Sequence, residues 1–231
     1  QKVMNKQGKM TVINVNETVM EVFESTIGKY PYSQISVAQT NFVHGGMEYP
    51  NCVLISDDCA DYQTYQMVII HELVHQWWYG VVGNNEFDNG WMDEGLTEFC
   101  TVYYFDTHSD LGLTMENMVT SSTNAYCTFK KVYKDVLGEV DTSMNRGLDE
   151  FATEPEYVYN TYTKGMLMFA TIYELVGQKN FDKAMKYYYE HNVYKNVKPE
   201  YLVKCFCRGS GKNLESLLDG WLKGKVQILN K

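Results

Sequence analysis

Residues 63–79 read QTYQMVIIHELVHQWWY, and the apolar turn at 67–70 predicts a helix with a buried side. His71 and His75 are four positions apart, so both imidazoles lie on one face of this helix. Zinc accepts neutral imidazole nitrogen, and hydrolytic zinc sites combine three protein ligands with a water. Glu72 lies about 100° around the helix from His71, beside such an ion, where a general base is needed. The pattern predicts a metal site, although five residues of this kind also occur by chance in core helices.

A second helix is predicted from about residue 92 to about residue 106, with Glu94 in its first turn. Eighteen residues separate His75 from Glu94, which is enough for two helices joined by a loop to pack antiparallel. This packing would bring Glu94 to the open side of the histidine pair and produce the two-His, one-Glu ligand set of thermolysin. The alternative is that Glu94 is a first-turn carboxylate that stabilises the helix dipole. The HExxH pattern and the spacing together favour the metal site.

The rest of the sequence predicts a small N-terminal β-sheet followed by a helical body, so the fold class is α+β and mainly α. We expect a single domain over 1–231, in which 1–14 has no clear period and is a linker or a strand remnant. An irregular, acidic stretch is predicted at 138–159. The other predicted elements are helices at 16–27, 114–127, 162–176, 181–190, 199–207 and 214–222, and strands at 34–39 and 52–56 that flank a loop at 44–50.

The composition excludes several classes of protein. The 231 residues include 20 Lys and Arg against 29 Asp and Glu, a net charge of −9, whereas nucleic-acid binding surfaces usually have the opposite sign. No stretch approaches about 18 uninterrupted apolar residues, so no transmembrane segment is predicted. The 19 Tyr, 10 Phe and 4 Trp argue against disorder.

The six cysteines contain no CxxC pair, which argues against a zinc ribbon or a thioredoxin-like site. An even number permits disulfides, but a chain of this length does not need them. We therefore expect free, buried thiols. The localisation is unknown from the sequence, because nothing in it distinguishes a cytoplasmic from an extracytoplasmic compartment.

Four short motifs share a resemblance to one enzyme family. They are GGME at 45–48, HELVH at 71–75, the Glu of WMDEG at 91–95 and YTKG at 162–165. In content and order they resemble the zinc aminopeptidases of the aminopeptidase N and leukotriene hydrolase family, within the gluzincin metallopeptidases. The family's exopeptidase motif is usually Gly-x-Met-Glu-Asn, and Tyr49 replaces its Asn here. The resemblance implies a thermolysin-like gluzincin catalytic domain, without the family's N-terminal β domain.

The resemblance also implies a role for each catalytic side chain. His71, His75 and Glu94 would bind one zinc ion. Glu72 would take a proton from the attacking water as the general base. Tyr162 would donate its hydroxyl to the tetrahedral oxyanion, a contact that contributes roughly 3–4 kcal/mol where similar donors have been removed.

Further roles concern substrate and ligand orientation. Glu48 would bind the free α-amine of a peptide, because a buried carboxylate is costly without an opposing cation; a turn residue is the alternative. Gly45 and Gly46 could pair with the substrate as a strand edge, since glycine permits close approach. Glu98, one turn beyond Glu94, is either an exposed helix residue or the partner of a zinc ligand's free nitrogen. Lys164 of YTKG could be a helix entry residue without a further role.

The function expected from these motifs is that of a zinc aminopeptidase acting on peptides with a free N-terminus. The alternatives are an endopeptidase or epoxide hydrolase on the same scaffold, and a non-catalytic scaffold that retains the fold. An upstream β domain in the full-length protein would close one side of the cleft, so the isolated chain is expected to bind zinc and turn over poorly. Acidic groups near the motifs suggest a preference for basic N-terminal residues. The alternative is that these groups are solvated surface charges. They are Asp58, Asp61, Glu86, Asp88 and Asp93.

Overall fold

Helices dominate the computed structural model, which describes residues 2–4, 10–12, 15–59, 61–108 and 111–229. This confirms the predicted α+β, mainly helical class with a small sheet. No helix in these ranges is both long and apolar enough to cross a bilayer. The strands are β1 Lys2–Met4, β2 Met10–Val12, β3 Ser36–Thr40, β4 Gly46–Met47, β5 Cys52–Ser56, β6 Val82–Gly83 and β7 Lys195–Asn196. The helices are α1 Val15–Thr26, α2 Tyr62–Val74, α3 Glu86–Asn89, α4 Glu94–Thr107, α5 Met115–Leu137, α6 Glu154–Val158, α7 Lys164–Val176, α8 Gln178–Asn192, α9 Pro199–Ser210 and α10 Glu215–Leu222.

The sheet near the site has β5 at its centre. Strand β3 runs parallel to β5, and β4 pairs antiparallel with the other edge of β5. The strand predicted at 52–56 is confirmed, but the loop predicted at 44–50 contains β4. Two residues are too few to show an alternating pattern, so the sequence carries no signal for β4. Pairing of Gly46 with Ile55 and of Met47 with Leu54 holds this segment in place.

Helix α2 is shorter than predicted. It begins after Asp61, whose side chain accepts a hydrogen bond from the Thr64 N–H at 2.8 Å, and it ends at Val74 instead of near residue 79. Beyond it the chain folds back, because Tyr79 adopts a positive φ of 126° and its N–H donates to the Val82 carbonyl. Trp77, at 0% exposure, fills the core beneath the end of the helix.

Two parts of the helical body differ from expectation. Helix α5 continues ten residues beyond the predicted end at 127. The helical apolar spacing continues through Phe129, Val132 and Val136, so the sequence does carry a signal for the extension, although only Phe129 of these three is buried. The stretch predicted to be irregular at 138–159 contains α6 and a 3₁₀ turn at Leu148–Glu150. An ion pair between Arg146 and the buried Glu156 joins two parts of this stretch, and the Tyr133 hydroxyl of α5 donates to Glu156 at 3.0 Å, which holds the stretch against the body.

The cysteines are free thiols, as predicted, but their burial is not uniform. Cys100 and Cys205 lie in the core, whereas Cys52 is exposed at the start of β5.

Candidate metal centre

Three side chains from the two predicted helices converge on one point. The Nε2 atoms of His71 and His75 lie 3.0 Å apart, and Glu94 Oε2 lies 3.1 Å from each of them. His71 is in the last turn of α2, His75 caps that helix in a helical conformation, and Glu94 is the first residue of α4. This group could hold a metal ion. The helical i, i+4 spacing expected from the sequence places the two histidines together, and the packing of α4 on α2 adds Glu94.

The chemistry of these donors fits a cation. His75 Nδ1 lies 2.9 Å from the Trp78 carbonyl oxygen, which can only accept, so Nδ1 carries the proton and the lone pair of Nε2 faces the other two ligands. His71 Nδ1 lies 3.4 Å from Glu98 Oε1, an ion-pair distance without hydrogen-bond geometry, so a proton on this nitrogen would face the carboxylate. Two lone pairs and a carboxylate would repel one another without a positive charge between them. Their separations are close to the ~3.3 Å that tetrahedral zinc with ligands at about 2.0 Å requires.

The charges of the ligands also favour a bound cation. Burial disfavours the charged form of His75, but the Glu94 carboxylate outweighs this and raises the pKa of His75 to about 9. Burial also acts to raise the pKa of Glu94, yet the charges and hydrogen bonds of the two histidines leave it well below its usual range. The site therefore attracts positive charge strongly, and protons and a metal ion would compete for the same atoms.

Glu72 lies beside the ligands. Its side chain is only 6% exposed, and Oε2 has no hydrogen-bond partner among the described residues. Burial raises the pKa of Glu72 to about 7, near the value at which a carboxylate works best as a general base at neutral pH. Gly46 packs against this carboxylate so closely that a Cβ there would collide with Oε1. The short strand β4 thus forms one wall around Glu72.

Tyr162 reaches the same point from a third direction. It lies in a π-helical turn, Tyr159–Thr163, just before α7, and such turns often occur at functional sites. Its hydroxyl donates to Glu94 Oε1 at 2.6 Å, and its ring stacks on His71 with centroids 6.2 Å apart. Burial and the Glu94 charge raise the pKa of Tyr162 far above its usual value, so the hydroxyl remains a proton donor.

Glu48 lines a cavity of about 420 Å³ together with these side chains. Only 8% of Glu48 is exposed. Met67 and Val68 of α2 supply an apolar wall, and His44 also lines the cavity. The acidic residues suggested to favour basic substrates are absent from the lining; Asp61, for example, caps α2. The predicted site residues that line the cavity are Gly45, Gly46, Glu48, His71, Glu72, Glu94, Glu98 and Tyr162.

Sequence reasoning missed two buried polar residues near the site. Gln76 is 1% exposed and connects the loop after Glu48 to the end of α2. Lys164 is fully buried and donates to the carbonyl oxygens of Thr142 and Trp221, which ties the start of α7 to two distant segments. Lys164 belongs to the YTKG motif, but the sequence did not predict its buried contacts. For Gln76, the sequence offers only its position directly after His75.

Comparison with known proteins identifies one family. Residues 11–221 match the peptidase family M1 domain. Aminopeptidase M1-A from Oryza sativa subsp. japonica is 24% identical over 228 residues, which cover 94% of this chain and 25% of the rice protein. Aminopeptidase N from Lactococcus lactis is 25% identical over 234 residues, which cover 91% of this chain and 26% of that protein. The chain thus spans about a quarter of the length of these curated relatives.

Solved structures share the fold at lower identity. The M1 zinc metallopeptidase from Deinococcus radiodurans superposes with a TM-score of 0.72 at 17% identity, covering 96% of this chain and 46% of that one. Native yeast LTA4 hydrolase gives a TM-score of 0.70 at 20% identity, covering 90% of this chain and 34% of that one.

Proposed function

The chain belongs to peptidase family M1, and from this we propose that it is the catalytic domain of a zinc aminopeptidase that hydrolyses the N-terminal bond of peptides. The observation that carries the proposal is the group of His71, His75 and Glu94, whose ligand atoms lie within 3.1 Å of one another. The same cavity holds a buried carboxylate with a raised pKa, Glu72, and a second buried carboxylate, Glu48.

Zinc is the proposed ion because two imidazoles and one carboxylate suit it better than they suit magnesium or calcium. His71, His75 and Glu94 would hold it, and Glu98 would orient His71 through Nδ1. When bound, the ion would supply a Lewis acid and lower the pKa of a coordinated water toward about 7.

Glu72 would hold and move the proton. Its carboxylate is buried next to the ligands and has an unpaired oxygen, so it can accept a proton from the attacking water and deliver it to the leaving amine. A pKa of about 7 suits both transfers.

Tyr162 would stabilise the negative charge that develops on the carbonyl oxygen of the substrate. Its hydroxyl already lies at the metal ligands, 2.6 Å from Glu94 Oε1, and is a neutral donor at all physiological pH values. A donor held in place before the reaction costs no reorganisation when the charge appears.

Glu48 would restrict the enzyme to the ends of chains. A carboxylate that is 8% exposed gains most from a cation that enters the cavity, and the α-amine of a peptide is such a cation. Beside it, Gly45 and Gly46 would let the substrate backbone approach β4.

We further propose that residues 1–231 form one domain of a longer enzyme, in which an upstream β domain covers one side of the cavity. The relatives are about four times as long as this chain. The isolated chain should then bind zinc and turn over poorly, and a version extended upstream should be more active. Equal activity of the two would contradict this part of the proposal.

A panel of aminoacyl fluorogenic substrates, each with a free and an acetylated amine, tests the proposed activity. We expect cleavage of the free-amine forms alone, loss of activity with a chelator, and recovery with added zinc. Cleavage that is indifferent to acetylation would support an endopeptidase instead. One zinc ion per chain without any cleavage, in the full-length protein, would support the non-catalytic scaffold.

A further inference from the structure

Gln76 is a buried amide between the metal ligands and the loop that carries Glu48. It directly follows His75 and is 1% exposed. Its Nε2 donates to the carbonyl oxygens of Glu48 at 3.2 Å and of Glu72 at 3.4 Å, and its Oε1 accepts from the Asn51 N–H at 2.9 Å. One side chain therefore bridges the two segments that supply the proposed amine-binding carboxylate and the proposed base.

The network requires an amide in one orientation. Both atoms facing Nε2 are carbonyl oxygens, which only accept, and the Asn51 N–H facing Oε1 only donates. A carboxylate at position 76 would leave the carbonyl oxygens of Glu48 and Glu72 without a donor, and it would add a negative charge close to two others. An apolar side chain would leave all three backbone groups unpaired.

The loop that Gln76 holds is a tight turn. The Cys52 N–H donates to the Tyr49 carbonyl at 2.9 Å, and Asn51 has a φ of 62°. With Pro50 at the second position and a positive φ at the third, these are the features of a type II turn. Gln76 contacts the residue before the turn, Glu48, and its third residue, Asn51, so the whole turn is fixed to the end of α2.

We propose that Gln76 is a positioning residue that sets the distance between Glu48 and the metal-binding helix. The proposal rests on the proposed function, in which Glu48 binds the α-amine. An aminopeptidase has to hold the amine one residue away from the carbonyl that is attacked, so this distance is part of its specificity. Reacting groups need placement within about 0.5 Å, and a displacement of about 1 Å can reduce the rate about 100-fold.

The test compares substrates with a free and an acetylated amine in the full-length, zinc-loaded protein carrying Gln76→Met, a change of similar volume. We expect KM for the free-amine substrate to rise about tenfold, which is the scale of loss when supporting residues are removed. The change in kcat should be smaller, and the preference for the free amine should fall by as much as KM rises. Zinc content should be unchanged. The matched control is Gln178→Met, the same substitution at an exposed glutamine of α8 outside the cavity lining, and it should retain the preference.

A double-mutant cycle with Glu48→Gln shows whether Gln76 acts through Glu48. If it does, the double variant should have the same preference as Glu48→Gln alone, within about threefold. Additive losses, or a Gln76→Met enzyme that keeps the wild-type preference and KM, would overturn the inference. Should Gln76→Met not fold, Gln76→Asn, whose amide is one methylene shorter, takes its place with the same expected outcome.

The outcomes separate this inference from the proposed function. If Glu48→Gln itself leaves the preference for the free amine unchanged, Glu48 does not bind the amine and the proposed function is wrong at this point. If Glu48→Gln removes the preference and Gln76→Met does not, only the role of Gln76 is wrong. Binding of a free amino acid, which has the α-amine but no amide bond to hydrolyse, can be measured by calorimetry and should weaken in Gln76→Met to the same extent as KM rises.

Discussion

Gly95 of α4 and Gly165 of α7 touch backbone to backbone. A Cβ on Gly165 would lie 2.8 Å from the Gly95 Cα, and a Cβ on Gly95 would lie 2.9 Å from the Gly165 Cα. Glu94 directly precedes one glycine, and Tyr162 lies three residues before the other. The close crossing of the two helices is therefore what brings the Tyr162 hydroxyl within 2.6 Å of Glu94 Oε1.

Gly165→Ala should separate these helices. Because the added methyl group meets backbone and not a flexible side chain, the helices have to move, and we expect a loss of about 1–3 kcal/mol in the free energy of unfolding. Activity should fall as well, since Tyr162 moves relative to Glu94. Urea unfolding and kcat/KM measure the two effects.

The control for this change is Gly220→Ala in α10. There a Cβ meets only Val226 Cγ2 at 3.4 Å, and replacing a helical glycine by alanine usually stabilises by roughly 0.5–1 kcal/mol. If Gly165→Ala is as stable as wild type, α4 and α7 accommodate the added methyl group without cost, which would contradict the tight contact between Gly95 and Gly165.

Glu72→Gln separates the base from the ligands. The carboxylate is not part of the ligand group, so zinc content should remain at one ion per chain while kcat falls by at least about 100-fold, the lower range for a general base. Metal analysis and peptide hydrolysis check this. Glu190→Gln, at an exposed position of α8, is the control. Persistent peptide cleavage in Glu72→Gln would show that the base is assigned wrongly.

Tyr162→Phe removes one hydroxyl and keeps the ring that stacks on His71. We expect kcat to fall about 10²–10³-fold, as when one oxyanion donor is removed, with little change in KM because the contact forms mainly in the transition state. Tyr201→Phe, at an exposed tyrosine, is the control. A rise in KM at unchanged kcat would instead indicate a role in substrate binding.

The two histidines of the proposed metal site could be predicted from the sequence because their i, i+4 spacing is set by helix geometry, which a single sequence records. Glu94 follows eighteen residues that include β6 and α3, so its position depends on the packing of α4 on α2. Gln76 could not be predicted in the same way. Its partners, the Glu48 carbonyl and the Asn51 N–H, are backbone atoms, so no residue type elsewhere in the sequence signals them.

The parts of the fold that the sequence did not predict have different causes. Strand β4 consists of two residues and has no period, and its pairing with β5 is a tertiary contact. The extension of α5 beyond residue 127 differs from β4, because Phe129, Val132 and Val136 continue the helical apolar spacing. Its sequence therefore carries a signal, although most of the extension is exposed. The close contact of Gly95 with Gly165 joins residues seventy positions apart, and only the crossing of α4 and α7 reveals it.

Glu98→Gln tests whether Glu98 supports a zinc ligand. Glu98 Oε1 lies 3.4 Å from His71 Nδ1, and loss of such carboxylate partners commonly reduces metal affinity by about 10–100-fold. We expect a tenfold or greater loss of zinc affinity in a competition titration with a chromophoric chelator. The control is Glu174→Gln, outside the cavity lining. Equal affinities in the two variants would assign Glu98 to the helix surface alone.

Asp182→Asn should change how stability depends on pH. Asp182 Oδ1 is buried without a hydrogen-bond partner among the described residues, and burial raises the pKa of Asp182 to about 6, against a partly compensating hydrogen bond from Tyr103. Between about pH 4 and about pH 6 the unfolded chain ionises at this position while the folded chain stays protonated. The wild-type protein therefore loses stability as pH rises through this window, and the loss is complete above it.

The Asn variant has no such titration, so its advantage over wild type should grow from about pH 4 to about pH 6 and then remain constant. One pKa unit corresponds to about 1.4 kcal/mol, and partial exposure of the Asp182 side chain reduces the cost of its ionisation. We therefore expect the free energy of unfolding of Asp182→Asn to exceed that of wild type by about 1–2 kcal/mol at pH 8. Urea unfolding at half-unit steps from pH 4.5 to pH 8 measures it, with Asp135→Asn on the exposed side of α5 as the control. Parallel stability curves for wild type and Asp182→Asn would show that Asp182 ionises as readily in the folded chain as in the unfolded one.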